Sequence, residues 1–308
     1  MPPILGVVPN FSEGRDPSTI DSIVDALAVP GARVVFAEAD KDHHRLDTTV
    51  LGDADAVRRS ALAGATVAVE RIDMTRHRGG HPRMGAADVI PFMPVRDVEM
   101  SDVVELARSF ARELADALDL PVYLYGEAAL VPERRSLADV RKGEFEGLRE
   151  AVAGGDRLPD FGPHRIGPAG ATAVGARKPL VAFNIYLAGN DEDAVKEIAR
   201  SVRESSGGLP AVRAIGFTVP ERGQVTVSMN LVDTDVTGVR EAFDAVATRA
   251  ADRGLEIVDS EIVGLAPAAA LSEGVAEHVR LVGFDPDEQI LERLVEAGSD
   301  PDERGERS

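Results

Sequence analysis

From Leu180 onward the chain alternates two hydrophobic periods with a regularity that few folds accommodate. Leu180 to Leu187 is an apolar run of strand length, and Asp191 to Val202 carries helical spacing. Val212 to Val219 reads as a strand again. After it Val225, Val227, Met229 and Leu231 alternate with Thr226, Ser228 and Asn230, the period-two signature of a half-buried strand. A helix over Val236 to Asp252 and a strand over Glu256 to Leu265 close the series. The resulting order, β-α-β-β-α-β, is the split βαβ or ferredoxin-like arrangement.

The first half follows the same order. Ile4 to Val8 is a strand, and Asp16 caps a helix with Pro17 at its first position and Ile20, Ile23, Val24 and Leu27 as its stripe. Strands at Arg33 to Ala39 and Leu46 to Leu51, a helix from Ala54 to Glu70 and the apolar run Val89 to Val95 complete the pattern. An extra helix from Ser101, with Val103, Leu106, Phe110, Leu114 and Leu118 on one face, leads to a short strand at Pro121 to Tyr125. Short helical pieces fill Arg134 to Ala153, and the Gly- and Pro-dense stretch Leu158 to Gly170 reads as an ordered loop or connector. The expected fold is α/β (α+β), with two ferredoxin-like βαββαβ subdomains packed side by side and a groove between them. They occupy residues 1–178 and 179–298, joined near residues 171–179. A last helix starts at Asp285, with Glu288 closing a capping box, and stops at Gly298, leaving residues 299–308 as a loose polar tail.

Composition narrows the functions open to such a chain. Its 308 residues, 44% hydrophobic, suffice for two moderate cores. No run of eighteen apolar residues exists, so no membrane span is expected, and Met1 to Leu5 lacks a secretory leader, which points to the cytoplasm. The absence of cysteine removes thiolate catalysis and iron–sulfur clusters. A net charge of −19 opposes nucleic-acid binding. Four of the 34 basic residues are Lys, leaving 30 Arg. That balance suits high salt, although a GC-rich genome produces the same bias.

The segment Arg76 to Asp88 concentrates two histidines, three arginines and an aspartate among three glycines and a proline. Gly and Pro disfavour a helix interior and the charges disfavour a core strand, so a fixed polar loop remains. His81, between Gly80 and Pro82, is the candidate acid–base group, because imidazole both takes and gives a proton near neutrality. His77 lies four residues earlier, yet the intervening glycines break the helix that would align the pair on a metal, and no metal is expected. His43 and His44 point to opposite sides of an extended segment, and His44 with Arg45 is the favoured site pair. Arg45, Arg83 and Arg177 are candidate carboxylate clamps. No phosphate loop appears, and neither Ser12 nor Ser101 sits in a nucleophile elbow. His278 reads as structural. The chemistry points to proton transfer with positioning.

Several segments together resemble the glutamate formimidoyltransferase (formiminotransferase) family. They are Val8 to Gly14, Ile72 to Met74 through His81 to Asp88, Pro121 to Ala129, Pro159 to Pro163, and Gly170 to Lys178. The resemblance implies transfer of the formimino group from N-formimino-L-glutamate to N5 of tetrahydrofolate, in histidine degradation, with tetrahydrofolate as co-substrate. It implies a monofunctional enzyme without a cyclodeaminase domain, and a homodimer. His81 matches the family's catalytic histidine. Gly162, Pro163, His164, Arg165, Ile166, Gly167, Pro168, Ala169 and Gly170 match its folate-contacting loop. That loop is about one residue shorter than in relatives, with Gly167 where some bacterial relatives carry a histidine. The substrate-binding set expected is Asn10, Ser12, His44, Arg45, Arg83, Gly85, Asp88, Tyr125, Glu127, Arg177 and Asn184. Formyl transfer from N-formylglutamate and folate binding without turnover are the alternatives.

Overall fold

A computed structural model describes residues 2–297. The chain divides into two compact units, one up to Arg177 and one from Lys178. In order, the first contains β1 (Ile4–Val7), β2 (Asn10–Phe11), α1 (Pro17–Leu27), β3 (Ala32–Asp40), β4 (Arg45–Gly52) and α2 (Ala54–Arg71). It continues through β5 (Ala87–Arg96), α3 (Met100–Leu118), β6 (Val122–Gly126), α4 (Leu137–Val140), α5 (Glu144–Gly154) and β7 (Thr172–Ala176). The second contains β8 (Val181–Ala188), α6 (Glu192–Val202), β9 (Val212–Val219), β10 (Gln224–Leu231), α7 (Val239–Ala251), β11 (Ile257–Val263), α8 (Val275–His278), α9 (Pro286–Gln289) and α10 (Leu291–Ala297). The fold is the expected mixture of helices and sheets with the βαββαβ order in each unit.

In the second unit the sheet order is β11-β8-β10-β9, antiparallel throughout. In the first, β1 and β2 are two pieces of one lane between β4 and β5, with β3 outside β4. Both follow the ferredoxin-like order. The first sheet then grows beyond β5 by two parallel strands, β7 and β6, to seven in all.

Local chemistry explains the helix starts. Asp16 accepts from Ser18 N and Thr19 Oγ1, and Asp53 accepts from Ala56 N at 2.8 Å. One face of the first sheet packs Val7, Phe11, Leu46, Val50, Ile90, Phe92 and Val174 against α1, α2 and α3. A second cluster joins Val89, Tyr123, Tyr125 and Ala173 to Val140, Leu148 and Val152 of α4 and α5. Burying each Leu or Val contributes roughly 1.5–3 kcal/mol, which holds these short helices to the sheet.

Two expectations need correction. The joining segment 171–179 contains a buried strand, β7, lying between β5 and β6. Its small residues, Thr-Ala-Val-Gly-Ala, carry no periodic contrast because both faces are covered. The last helix is broken at Ile290, which adopts extended backbone and bridges to Ala266. Its reciprocal cap comes from Gln289, whose Oε1 accepts from Asp285 N at 3.0 Å, rather than from Glu288. The expected stop at Gly298 and the tail 299–308 lie outside the described residues.

Candidate active site

The site begins with a fault in strand pairing. Between β2 and β5 the register slips, with Asn10 opposite Val89 and Phe11 opposite Ala87. Asp88 is the unmatched residue, and such a bulge re-aims a side chain out of its expected face. Asp88 is fully buried, so its charge demands partners. Arg45 Nη1 donates to its Oδ2 at 2.8 Å, Arg141 Nη2 donates to the same oxygen at 2.5 Å, and Met84 N donates to Oδ1 at 2.8 Å. Arg45 also donates from Nη2 to Asn10 Oδ1 at 2.7 Å and from Nε to Asp47 Oδ1 at 3.0 Å.

These contacts set the protonation states. Burial alone would raise the Asp88 carboxyl, yet Arg141 and Arg45 together hold it below the ordinary carboxylate value. Burial would likewise weaken Arg45, but Asp88 and Asp47 lift it above the usual arginine value. Arg141 goes the other way. Burial lowers it, Asp88 only partly compensates, and Arg45 repels it.

The His81 loop leans on the turn between β3 and β4. Gly79 lies so close that a Cβ there would sit 2.4 Å from His43 O, and Gly80 N donates to Asp42 O at 3.3 Å. His44, in the left-handed region at φ 52, faces Arg78 O from Nδ1 at 2.9 Å and Glu13 Oε1 from Nε2 at 3.0 Å. It stacks on His77 with centroids 4.2 Å apart. His77 Nε2 donates to His44 O at 3.1 Å, while its buried Nδ1 has no partner. Burial, then the charges of His44 and Arg83, push His77 down to about 4.

His81 stands at the rim of the arginine cluster. Its Nδ1 lies 2.7 Å from Pro82 O, and a carbonyl only accepts, so Nδ1 carries the hydrogen and Nε2 the lone pair. Burial first, then Arg45 and Arg141, push the ring down to about 4, against the pull of the Pro82 carbonyl and Asp88. The imidazole is therefore neutral at physiological pH and ready to accept a proton at Nε2.

The remaining candidates divide by what they touch. Asn10, Arg45 and Asp88 form the cluster, and Tyr125, buried on β6, lies close enough to Arg141 to act on its charge. Ser12 is buried and donates to Gly85 O at 2.8 Å, which ties β2 to the loop. Gly85 approaches β7 so closely that a Cβ would lie 2.1 Å from Ala171 O. Arg83 is engaged by Glu144 and Glu146 of α5. Glu127, exposed beyond β6, lies 3.8 Å from Arg135. Arg177 ends the first unit, its backbone N donating to Phe92 O at 3.1 Å. Asn184 belongs to β8 of the second unit, opposite Ser228 and Glu261.

The segment Gly162 to Gly170 is laced to the residues flanking His81. Met74 N donates to Pro168 O and Ala86 N to Ala169 O, both at 2.8 Å, and Ala171 N donates to Met84 O at 3.0 Å. Gly170 bridges Gly85, while His164, Arg165, Gly167 and Pro168 stay exposed. Arg165 pairs with Asp119, and Ile166 packs on the core. Arg141 is the site residue that sequence reasoning missed. It ends a four-residue helix in a segment without motif, one arginine among thirty.

A neutral imidazole beside two arginines that share one buried aspartate places a proton acceptor next to fixed positive charge on an α/β scaffold. Residues 4–177 match the formiminotransferase domain, N-terminal subdomain, and residues 182–282 match the formiminotransferase domain, so the chain belongs to that family of transferases. A glutamate formimidoyltransferase of Streptococcus pyogenes is 40% identical over 95% of this chain and 98% of its own length. One from Thermoplasma acidophilum is 42% identical over 95% and 97%. The rat formimidoyltransferase-cyclodeaminase is 39% identical over 96% of this chain and 60% of its own. Among the described residues no helix is long and apolar enough to cross a membrane.

Proposed function

We propose that this protein transfers the formimino group of N-formimino-L-glutamate to N5 of tetrahydrofolate, giving 5-formiminotetrahydrofolate and L-glutamate. The observation that carries the reading is the state of His81 in a chain of this family. Its Nδ1 hydrogen is spent on Pro82 O, and its Nε2 lone pair is unengaged beside Arg45, Asp88 and Arg141.

The chemistry balances through that nitrogen. N5 attacks the amidine carbon of the donor and must shed its proton, and the nitrogen of glutamate must gain one as its bond to that carbon breaks. His81 Nε2 takes the first proton and returns it to the departing nitrogen. Positioned acid–base transfer of this kind contributes typically about 10²–10⁴-fold, and holding two reactants together contributes as much or more. Tetrahydrofolate is assigned to Gly162 to Gly170, supported by the hydrogen bonds that lace this segment to the residues flanking His81. The subdomain division at residue 178, a homodimer and a cytoplasmic location belong to the same proposal.

The test is a spectroscopic assay of tetrahydrofolate conversion with purified protein. Conversion that depends on formiminoglutamate is the expected result. No conversion, or conversion with N-formylglutamate alone, overturns the reading.

A further inference from the structure

Two arginines, Arg45 and Arg141, face His81 and a third, Arg83, follows it in the loop, and their hydrogen bonds separate their roles. Arg45 has all three nitrogen positions committed, to Asp47, Asp88 and Asn10. Arg83 has both Nη atoms on Glu144 and Glu146, and its buried Nε, like that of Arg141, has no partner. Arg141 makes one side-chain hydrogen bond, from Nη2 to Asp88, and its Nε is buried with no partner. Asp88 divides a single negative charge between two guanidiniums, and Arg45 has Asp47 besides. Two carboxylates thus balance two guanidiniums in charge, and the unused hydrogen-bond donors are those of Arg141. A largely enclosed cation with spare donors in fixed fork geometry is a receptor for a carboxylate.

The surroundings hold that receptor in place. Arg141 caps α4, with its N donating to Leu137 O at 2.9 Å, and its own carbonyl accepts from Glu144 N at 2.7 Å. Arg157 donates to the carbonyls of Asp139, Val140 and Lys142 around the same turn. Phe145 N donates to Arg83 O at 2.9 Å, which pins the turn to the His81 loop.

We infer that Arg141 binds the donor, its guanidinium receiving the α-carboxylate of the glutamate moiety. This rests on the transferase reading above. The α-carboxylate is the choice because it sits on the carbon bearing the reacting nitrogen, so the group nearest His81 in chemistry is also nearest in space. The γ-carboxylate lies two methylenes farther away. A bound carboxylate also acts on His81. The groups that face that ring are Arg45, Arg141, Asp88, the Pro82 carbonyl and the edge of His43 at 6.1 Å. Neutralising Arg141 removes one of the two cations that weaken the imidazole as a base, so donor binding itself makes His81 more basic.

The experiment uses the full chain with Arg141→Ala and Arg141→Lys. With wild type active, Arg141→Ala should raise KM for formiminoglutamate roughly 10- to 100-fold, as expected for a hydrogen-bonded charge, with KM for tetrahydrofolate unchanged as evidence of an intact fold. Arg141→Lys should recover part of the loss. Amidating the α-carboxylate of the donor should penalise wild type strongly and Arg141→Ala little, while γ-amidation penalises both alike. Additive losses for the α-amide, or discrimination lost at the γ position instead, overturn the inference. Inactivity of wild type would sink the transferase reading alone. In that case equilibrium binding of L-glutamate decides, with at least tenfold weaker binding by Arg141→Ala expected and equal binding refuting the role.

Discussion

Both Nη atoms of Arg83 lie on Glu146, 2.8 and 2.7 Å from its two carboxylate oxygens, and Nη1 also reaches Glu144 at 2.7 Å. The arginine beside the proposed catalytic histidine thus grips a helix rather than standing open to substrate. Its partner is a helix start, where Glu144 and Glu146 also favour the macrodipole of α5. Arg83 thereby couples the His81 loop to the turn that carries Arg141.

Replacing Arg83 by Ala should loosen that coupling. The glutamates are about half exposed, so the stability loss should stay near 1 kcal/mol. The larger effect falls on the donor, with kcat/KM for formiminoglutamate dropping severalfold or more while KM for tetrahydrofolate holds. A mutant whose donor KM is unchanged would show that Arg83 does not position the Arg141 turn. Arg83 pushes Glu146 down to about 2, so this pairing is present at neutral pH and is lost as acid takes the carboxyl through that value.

His81→Ala should lower kcat by about 10²–10⁴-fold with little change in either KM, because the ring moves protons rather than holding substrate. Steady-state kinetics on both substrates gives the answer. Wild-type turnover in the mutant would remove His81 from the mechanism.

The pH profile carries a distinctive sign. His81 must be neutral to accept a proton, and the free protein holds it at about 4. The acid limb of kcat/KM should therefore fall near pH 4, well below an ordinary histidine. The acid limb of kcat should lie higher, since bound donor neutralises Arg141. An acid limb of kcat/KM at pH 6.5 would contradict the burial and the two-arginine field.

His77 makes stability depend on pH in the same range. Unfolded, it titrates near the ordinary value of 6.5; folded, at about 4. The unfolded state binds the extra proton between these values, so stability is full above pH 6.5 and declines toward pH 4, by on the order of 2–3 kcal/mol. His77→Gln should flatten that slope in denaturant titrations at pH 7 and pH 4.5. An unchanged slope would assign the acid sensitivity to another group.

Gly85→Ala should damage the site from below. Its Cβ would meet the Ala171 carbonyl at 2.1 Å, a backbone atom with nowhere to go, so a loss of about 1–3 kcal/mol or more is expected. Thermal unfolding measures it. A Tm equal to wild type would mean that the contact between Gly85 and Ala171 yields easily.

Much of the fold was legible in the chain before folding. Periods of two and of 3.6 are local properties, and they marked both βαββαβ series and the helix starts at Asp16 and Asp53. The glycines and proline around His81 announced a rigid polar loop for equally local reasons. Tertiary structure decided the rest, because it depends on residues far apart in sequence. The strand β7 stayed hidden, since five small residues covered on both faces leave no contrast to read. The slipped register that turns Asp88 toward Arg45 exists only when β2 meets β5, some 77 residues on. No local pattern distinguishes Arg141 from the other arginines. It differs from Arg45 and Arg83 only once the fold has engaged both Nη atoms of those two and left Arg141 with a single side-chain hydrogen bond.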